Sequence, residues 1–209
     1  MIRIAIVVGS TRPRRRAELV ARWVADVAGE YITDHSQDKT VEFEIVDIAD
    51  QRLPLLDEPM PAAIGDYSNS HTKRWASVVG SFDGFIFVTP EYNHSVPAAL
   101  KNALDYLFAE WNDKAAGFVS YGLHGGTRAV EHLRLVMAEL KIADVRTQVA
   151  LSLFNDFTIE DMSQPGELTP GDHQLETLRR LVDEVITWAA ALKPLRVGTS
   201  SSDRETVRA

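Results

Sequence analysis

Residues 2–31 read IRIAIVVGSTRPRRRAELVARWVADVAGEY, and this stretch indicates the class of fold. Its first seven residues form a mainly apolar run rich in β-branched side chains, which is typical of a buried strand. After Gly9 and Ser10 the apolar residues recur at steps of three and four, which is the period of one helix face. A strand that passes directly into a helix is the first half of a βαβ unit.

The same alternation of strand and helix continues along the chain. Further strands are predicted at 41–47, 85–88, 116–120 and 145–151. Further helices are predicted at 75–82, 97–111, 127–140 and 174–192. Strands that alternate with helices imply right-handed crossovers and a parallel sheet with helices on both faces. The predicted fold class is α/β, a flavodoxin-like, doubly wound sheet of five parallel strands in the order 2-1-3-4-5.

The length of 209 residues suits one domain, which we predict to span residues 1–194. The remaining residues, 195–209, are rich in Ser, Thr and charged side chains and hold little apolar surface. Such a segment cannot bury enough surface to pack, so it is predicted to be a disordered C-terminal tail.

Composition excludes several classes of function. The chain carries 22 basic and 30 acidic side chains, and its net charge of −8 argues against binding to nucleic acid or to an anionic membrane. It contains no cysteine, which excludes disulfides, thiolate nucleophiles and cysteine-ligated metal centres. No apolar run approaches the ~20 residues of a membrane span, and the first residues show no signal peptide, so a cytoplasmic protein is expected. The histidines show no ligand spacing, so no metal site is expected.

The loop after the first predicted strand reads GSTRPRRR (9–16) and has the composition of a phosphate site. Ser10 and Thr11 offer hydroxyl groups, while the following helix presents free amides and the positive end of its dipole. Arg12, Arg15 and Arg16 add the local positive charge that an acidic protein needs in order to bind an anion. The loop lacks both the Gly-Lys-Ser/Thr ending of a P-loop and the G-x-G-x-x-G dinucleotide fingerprint. The alternative is that Ser10 or Thr11 caps the helix and the arginines form a solvated face.

Residues 90–105 read PEYNHSVPAALKNALD and follow the third predicted strand. Their pattern, P-E-Y-N-x-S-x-P-x-x-L-K-N-A-x-D, resembles that of the NAD(P)H-dependent FMN reductases, a flavodoxin-like family that includes quinone and azo-dye reductases. The Gly-Ser-x-Arg loop after the first strand agrees with the same family, and the layout is similar over residues 1–190. From the residues alone, the segment 90–97 also suits a simple turn in which Ser95 caps the next helix.

The resemblance implies that the protein binds flavin mononucleotide (FMN) and uses NADPH or NADH as co-substrate. It places the FMN phosphate at Ser10, Arg12 and their neighbours. The isoalloxazine ring would lie along a second set of residues, Pro90, Glu91, Tyr92 and Asn93. Ser95 is a further predicted cofactor contact. The implied reaction is ping-pong hydride transfer through the flavin to a small acceptor, which is free flavin, a quinone, an azo dye or a metal oxyanion. No catalytic residue of the protein itself is implied.

The loop after the fourth predicted strand reads SYGLHGGTR (120–128). Its glycines permit a close approach of the backbone to a planar ligand, and the family has a Gly-Gly loop at this place. The helix that follows directs its N-terminal dipole at the site, where it can stabilise negative charge on reduced flavin. The predicted cofactor contacts are Ser120, Tyr121, Gly122, Gly125 and Gly126. His124 is the predicted contact for the substrate. The alternative is a flexible connection in which Thr127 caps the helix.

Two other classes of function fit the same cofactor site, an electron carrier of the flavodoxin kind and an FMN-binding sensor without reductase turnover. The long segments 49–70 and 152–172 favour an enzyme, because they are placed to cover the ring and shape a substrate pocket. A homodimer or a dimer of dimers is also predicted, as the resemblance implies. The predicted helix 97–111 supports it with more apolar surface than one sheet face covers, from Leu100, Leu104, Leu107, Phe108 and Trp111.

Overall fold

The structure is a computed structural model, and it describes residues 1–34 and 40–197. The strands are β1 (Ile2–Val8), β2 (Val41–Asp47), β3 (Gly84–Pro90), β4 (Lys114–Gly122), β5 (Ile142–Ser152), β6 (Phe157–Thr158) and β7 (Glu167–Leu168). The helices are α1 (Ala17–Asp34), α2 (Ile48–Gln51), α3 (Ser70–Gly80), α4 (Ala98–Asp105), α5 (Thr127–Glu139) and α6 (Asp172–Val197), with a 3₁₀ turn at Ala62–Ile64.

Strands β1 to β5 form one parallel sheet in the order β2-β1-β3-β4-β5, which confirms the predicted order. From β1 the chain crosses to β2 on one side and later returns to β3 on the other side. The crevice that binds ligands in such sheets lies at the carboxyl ends of the strands where this reversal occurs. The short strands β6 and β7 pair antiparallel in a separate ribbon within the segment 152–172.

Helices cover the sheet on both faces, and the alternation of side chains along β1 shows how the core is divided. Ile4, Ile6 and Val8 pack on the face covered by α1 and α6. Ala5 and Val7 pack on the opposite face against α3, α4 and α5. All five side chains are buried, because successive residues of a strand point to opposite faces and both faces are covered here.

The helix predicted at 97–111 is shorter in the structure, where α4 ends at Asp105 and turns follow. Leu107 and Trp111 lie in those turns and are each only 1% exposed within the single chain. The Trp111 ring nitrogen donates a hydrogen bond to the carbonyl of Leu104 at 3.2 Å. The expectation that this segment leaves a large apolar surface uncovered is therefore wrong, and the surface argument for a homodimer falls with it.

Helix α6 runs to Val197, beyond the predicted domain boundary at residue 194. Its last turns are held by Asp83, which accepts from Lys193 at 2.8 Å and forms an ion pair with Arg196. Residues 195–197 of the predicted tail are thus helical, and residues 198–209 lie outside the described residues. Within residues 1–34 and 40–197, no helix combines the length and apolarity that crossing a bilayer requires.

The register of the sheet brings the three predicted loops together. Val8 at the end of β1 is paired with Val88, and Pro90 at the end of β3 is paired with Tyr121 of β4. The chain therefore leaves β1, β3 and β4 at one edge of the sheet, on neighbouring strands. We call the segments that follow these strands the first, second and third loops.

Candidate functional site

The first loop (9–16) begins where the backbone passes very close to β3. The Gly9 amide donates to the carbonyl of Val88 at 2.8 Å, and a Cβ on Gly9 would lie 2.9 Å from the same oxygen. The next residue, Ser10, is fully buried, and its hydroxyl lies 3.0 Å from the hydroxyl of Tyr92. Ser10 therefore joins the first loop to the second. Thr11 points elsewhere and lines a separate cleft beside α2 and α4.

One cavity of about 220 Å³ is lined by the four arginines of the first loop, Arg12, Arg14, Arg15 and Arg16. Arg15 is largely buried, forms an ion pair with Asp47 at the end of β2, and lies 3.1 Å from a carboxylate oxygen of Glu18. Arg16 donates to the carbonyl of Gln164 at 3.1 Å. Arg12 and Arg14 are exposed. Two of the four guanidinium groups are thus already held by the protein.

The second loop (90–97) contributes Pro90, Glu91 and Tyr92 to the cavity. Tyr92 and Ser95 exchange two backbone hydrogen bonds, of 2.9 and 3.1 Å, across a tight turn. The two residues at the tip of this turn are left-handed, Asn93 at a φ of 49° and His94 at 74°. Asn93 is exposed there and does not line the cavity, and the Ser95 hydroxyl lies 2.9 Å from Nδ1 of His132 on α5.

Glu91 connects the second loop to the third. Its side chain is only 7% exposed, and one carboxylate oxygen accepts the backbone amide of Arg128 at 3.1 Å. The other oxygen forms an ion pair with the Arg128 guanidinium. The Glu91 carboxylate thus already places a negative charge at the N-terminus of α5 and accepts one of its free amides. The N-terminus of α5 is therefore less able to stabilise the negative charge of reduced flavin, the role predicted for its dipole.

The third loop (120–128) contributes Tyr121 and Gly122 to the cavity. Ser120 is buried, and its hydroxyl donates to the carbonyl of Gly125 at 2.6 Å, which closes the loop on itself. Gly126 has a φ of 70°, and a Cβ there would lie 2.9 Å from both the amide nitrogen and the carbonyl oxygen of Tyr121. Ser120, Gly125 and Gly126 therefore shape the loop without lining the cavity. His124 lines another cleft, beside Asp156 and His173.

Tyr121 lies beneath the first loop. Burial, together with the nearby Tyr92, raises the pKa of its phenol above the ordinary value of 10, although Arg16 and Arg15 oppose the shift. The phenol stays protonated at neutral pH as a result. Tyr121 can therefore offer a neutral aromatic surface and a hydroxyl group to a ligand, but no negative charge.

The segment 152–172 also reaches the cavity. Leu153, Met162 and Ser163 form part of its wall, and the bond from Arg16 to Gln164 fastens the segment to the first loop. These residues were missed by reasoning from motifs, as was Leu123. The only signal was the unusual length of the segment, which predicted a cover but not which side chains form it.

The cavity is lined by cationic side chains and by apolar and aromatic ones. This chemistry suits a planar ligand that carries a phosphate. The Nε atoms of Arg15 and Arg16 are buried and, among the described residues, have no hydrogen-bond partner. A buried donor without a partner costs about 1–3 kcal/mol, a cost that an anionic ligand would remove. The same cavity is lined by apolar and aromatic side chains, among them Pro90, Tyr92, Tyr121, Leu123 and Leu153. In the described parts of the chain, no group of three or more His, Asp or Glu side chains could hold a metal ion.

Comparison with known proteins gives consistent sequence matches. The family model described as NADPH-dependent FMN reductase matches residues 2–156. An NAD(P)H-dependent FMN reductase of Schizosaccharomyces pombe is 38% identical over 166 residues, which cover 78% of this chain and 80% of the relative. One from Nectria sp is 36% identical, with coverage of 88% and 96%. A quinone reductase of Pseudomonas putida is 32% identical, with coverage of 88% and 93%.

Solved structures share the fold at low sequence identity. A flavoenzyme NAD(P)H:(acceptor) oxidoreductase from Paracoccus denitrificans superposes with a TM-score of 0.65 at 20% identity, covering 92% of this chain and 99% of that one. A flavodoxin, WrbA-like protein from Agrobacterium tumefaciens superposes with a TM-score of 0.52 at 17% identity, with coverage of 92% and 99%. These likenesses confirm the flavodoxin-like fold.

Proposed function

The chain belongs to the family of NADPH-dependent FMN reductases, and we propose that its cavity binds FMN for the NAD(P)H-dependent reduction of a small acceptor. When bound, FMN would supply the redox chemistry, taking hydride from NADPH or NADH and passing electrons to a quinone, azo dye, free flavin or metal oxyanion in a ping-pong cycle. One observation carries the proposal. A single cavity is lined both by four guanidinium groups, two of them with unpartnered buried Nε atoms, and by Pro90, Tyr92 and Tyr121.

The first loop would hold the phosphate. Arg12 is exposed to the cavity and has no side-chain partner among the described residues, so its guanidinium is available for a charge-assisted hydrogen bond. Arg15 and Arg16 also line the cavity and would add their positive charge to the site. Ser10 would act mainly by joining this loop to Tyr92, because its hydroxyl is buried against that phenol.

The second and third loops would orient the ring. Pro90, Tyr92, Tyr121 and Gly122 line the cavity, and Glu91 holds the two loops together through the start of α5. None of these residues needs to transfer a proton, and the protonated phenol of Tyr121 suits a role in binding rather than in acid-base catalysis. The protein would contribute orientation and exclusion of water, which favour hydride transfer by fixing the reacting groups near each other.

The remaining predicted contacts fall into two sets. Ser95, Ser120, Gly125 and Gly126 shape the loops and do not line the cavity, although Gly125 lines the cleft beside His124. The other set lies outside the cavity altogether and comprises Thr11, Asn93 and His124. For Thr11, Asn93 and His124 a contact with cofactor or substrate stays a prediction.

Anaerobic mixing of the FMN-loaded protein with NADPH or NADH tests the proposal. The absorbance of oxidised flavin should fall rapidly, and a soluble quinone should restore it over many cycles. Flavin that resists both nucleotides but accepts electrons from a separate reductase would make the protein an electron carrier instead. Activity that appears only with a protein partner would favour a sensor.

A homodimer and a location in the cytoplasm also stay predictions. Light scattering across micromolar concentrations tests the first, and a monomer throughout would contradict it.

A further inference from the structure

The first loop carries more positive charge than one phosphate requires. A phosphate monoester has a charge of about −1.5 to −2 at neutral pH, whereas four guanidinium groups line the cavity. Arg15 is balanced by Asp47 and Glu18, and Arg16 is bound to a carbonyl. The side chains of Arg12 and Arg14 have no hydrogen-bond or ion-pair partner among the described residues. Two cavity-lining guanidinium groups are therefore uncommitted, and one phosphate at Arg12 leaves the group of Arg14 for a second anion.

Arg14 is also one of six described non-glycine residues whose backbone is left-handed. Its φ of 57° lies in the left-handed region, which costs a residue with a Cβ about 1–2 kcal/mol relative to the right-handed conformation. A glycine would adopt this conformation without that cost. Residues in such conformations occur preferentially at ligand sites, where the surrounding structure holds them. Here the residue in this conformation carries an unpaired guanidinium and lines the cavity.

The nicotinamide nucleotide is the second phosphate-bearing ligand of the proposed reaction. Both NADH and NADPH carry a pyrophosphate, and NADPH carries a 2′-phosphate as well. An arginine beside the ribose is a common means of accommodating that 2′-phosphate. Arg14 is exposed, so a nucleotide arriving from solvent can reach its guanidinium, whereas Arg15 and Arg16 lie deeper in the loop.

We propose that Arg14 binds a phosphate group of the nicotinamide nucleotide and does not hold the phosphate of FMN. The inference rests on the proposed function, because it assigns a residue to the co-substrate of that reaction. Since the contact would be made with the nucleotide throughout binding and reaction, its loss should raise KM and leave kcat nearly unchanged.

Three variants test the proposal. Arg14→Gly removes the charge and suits the left-handed backbone, so it should fold at least as well as the native protein. Arg14→Lys keeps the charge without the planar fork and should have an intermediate effect. Arg22→Ala removes an exposed cation from α1 that does not line the cavity, and it serves as the matched control.

The steady-state experiment uses each variant saturated with FMN. Arg14→Gly should raise KM for NADPH about tenfold or more, the loss expected for one charge-assisted hydrogen bond, and Arg22→Ala should not. A rise confined to NADPH identifies the 2′-phosphate as the bound group. An equal rise for NADPH and NADH identifies the pyrophosphate. Either pattern supports the proposal, and unchanged KM values for both nucleotides would overturn it.

Calorimetry supplies a readout that does not depend on turnover. Adenosine 2′,5′-bisphosphate and 5′-AMP serve as probes, and Arg14→Gly should weaken at least one of them while the dissociation constant of FMN stays within twofold. A large loss of FMN affinity without a loss of probe affinity would assign Arg14 to the FMN phosphate and overturn the proposal. Native protein that does not oxidise either nucleotide would instead refute the proposed function, which is a separate result.

Discussion

Replacing Lys114 with methionine should stabilise the protein at neutral and acidic pH. Lys114 begins β4 at the edge of the sheet opposite the loops and is only 3% exposed. Its ammonium donates to the carbonyl of Val79 at 2.8 Å and lies 5.5 Å from the centre of the Phe85 ring. Burial, assisted by the charge of Arg196, lowers the pKa of Lys114 from 10.5 to about 7, against the opposing charges of Asp83 and Glu110.

The direction in which stability changes with pH follows from whether the folded or the unfolded state binds the proton on Lys114. Between about pH 7 and pH 10.5 the unfolded chain holds a proton on Lys114 that the folded chain has released, so stability rises with pH across this window. The destabilisation by the buried ammonium is fully present below pH 7. For these two pKa values, the stability gained between pH 6 and pH 9 is about 3 kcal/mol as an upper limit, at 1.36 kcal/mol for each unit. Methionine has a similar shape and no charge, so Lys114→Met should lack this gain.

Urea unfolding at pH 6, 7.5 and 9 measures the effect. The free energy of unfolding of Lys114→Met should exceed that of the native protein most at pH 6, and the difference should shrink toward pH 9. Lys73→Met, which alters an exposed lysine on α3, should follow the native protein at every pH. A difference between native and Lys114→Met protein that is constant with pH would refute the reasoning, because Lys114 would then not titrate in this range.

Further predictions concern the loops. Arg12→Ala should weaken FMN binding by about 1.5–3 kcal/mol and leave riboflavin binding unchanged, as fluorescence titration can show; equal losses for both ligands would remove Arg12 from the phosphate site. Gly126→Ala forces a Cβ against the backbone of Tyr121 and should cost at least about 1–2 kcal/mol in thermal unfolding, whereas Gly171→Ala, where a Cβ meets open space, should not. Glu91→Gln should loosen the start of α5 and speed amide exchange there, and unaltered exchange would deny it the locking role.

Local periodicity predicted the strands and helices because burial on a two-sided sheet imposes it. The bounds of β1 were correct, since both faces of that strand are covered and its apolar run has clear ends. The end of α4 was not predictable in the same way. Leu107 and Trp111 continue the apolar spacing, but they do so in buried turns after Asp105. Spacing alone cannot distinguish a helix from turns that bury the same side chains.

The family and the three loops of the site also followed from the sequence. Their motifs are runs of contiguous residues, which can be identified without the tertiary structure. Parallel strands end at one edge, so the adjacency of the loops followed from the sheet order. The partner that each loop side chain takes did not follow from the sequence. Arg15 turns to Asp47, Ser95 to His132 and Glu91 to the start of α5.

These partners are more than thirty residues away along the chain. The sequence by itself determined the strands and helices, because these depend on local periodicity. It also determined the sheet order and the edge where chemistry can occur, because few orders are common for doubly wound sheets of five parallel strands. Only the tertiary structure decided which arginines are held by the protein and which remain available to a ligand. That division depends on where charges from distant segments meet, and it leaves Arg12 and Arg14 facing the cavity.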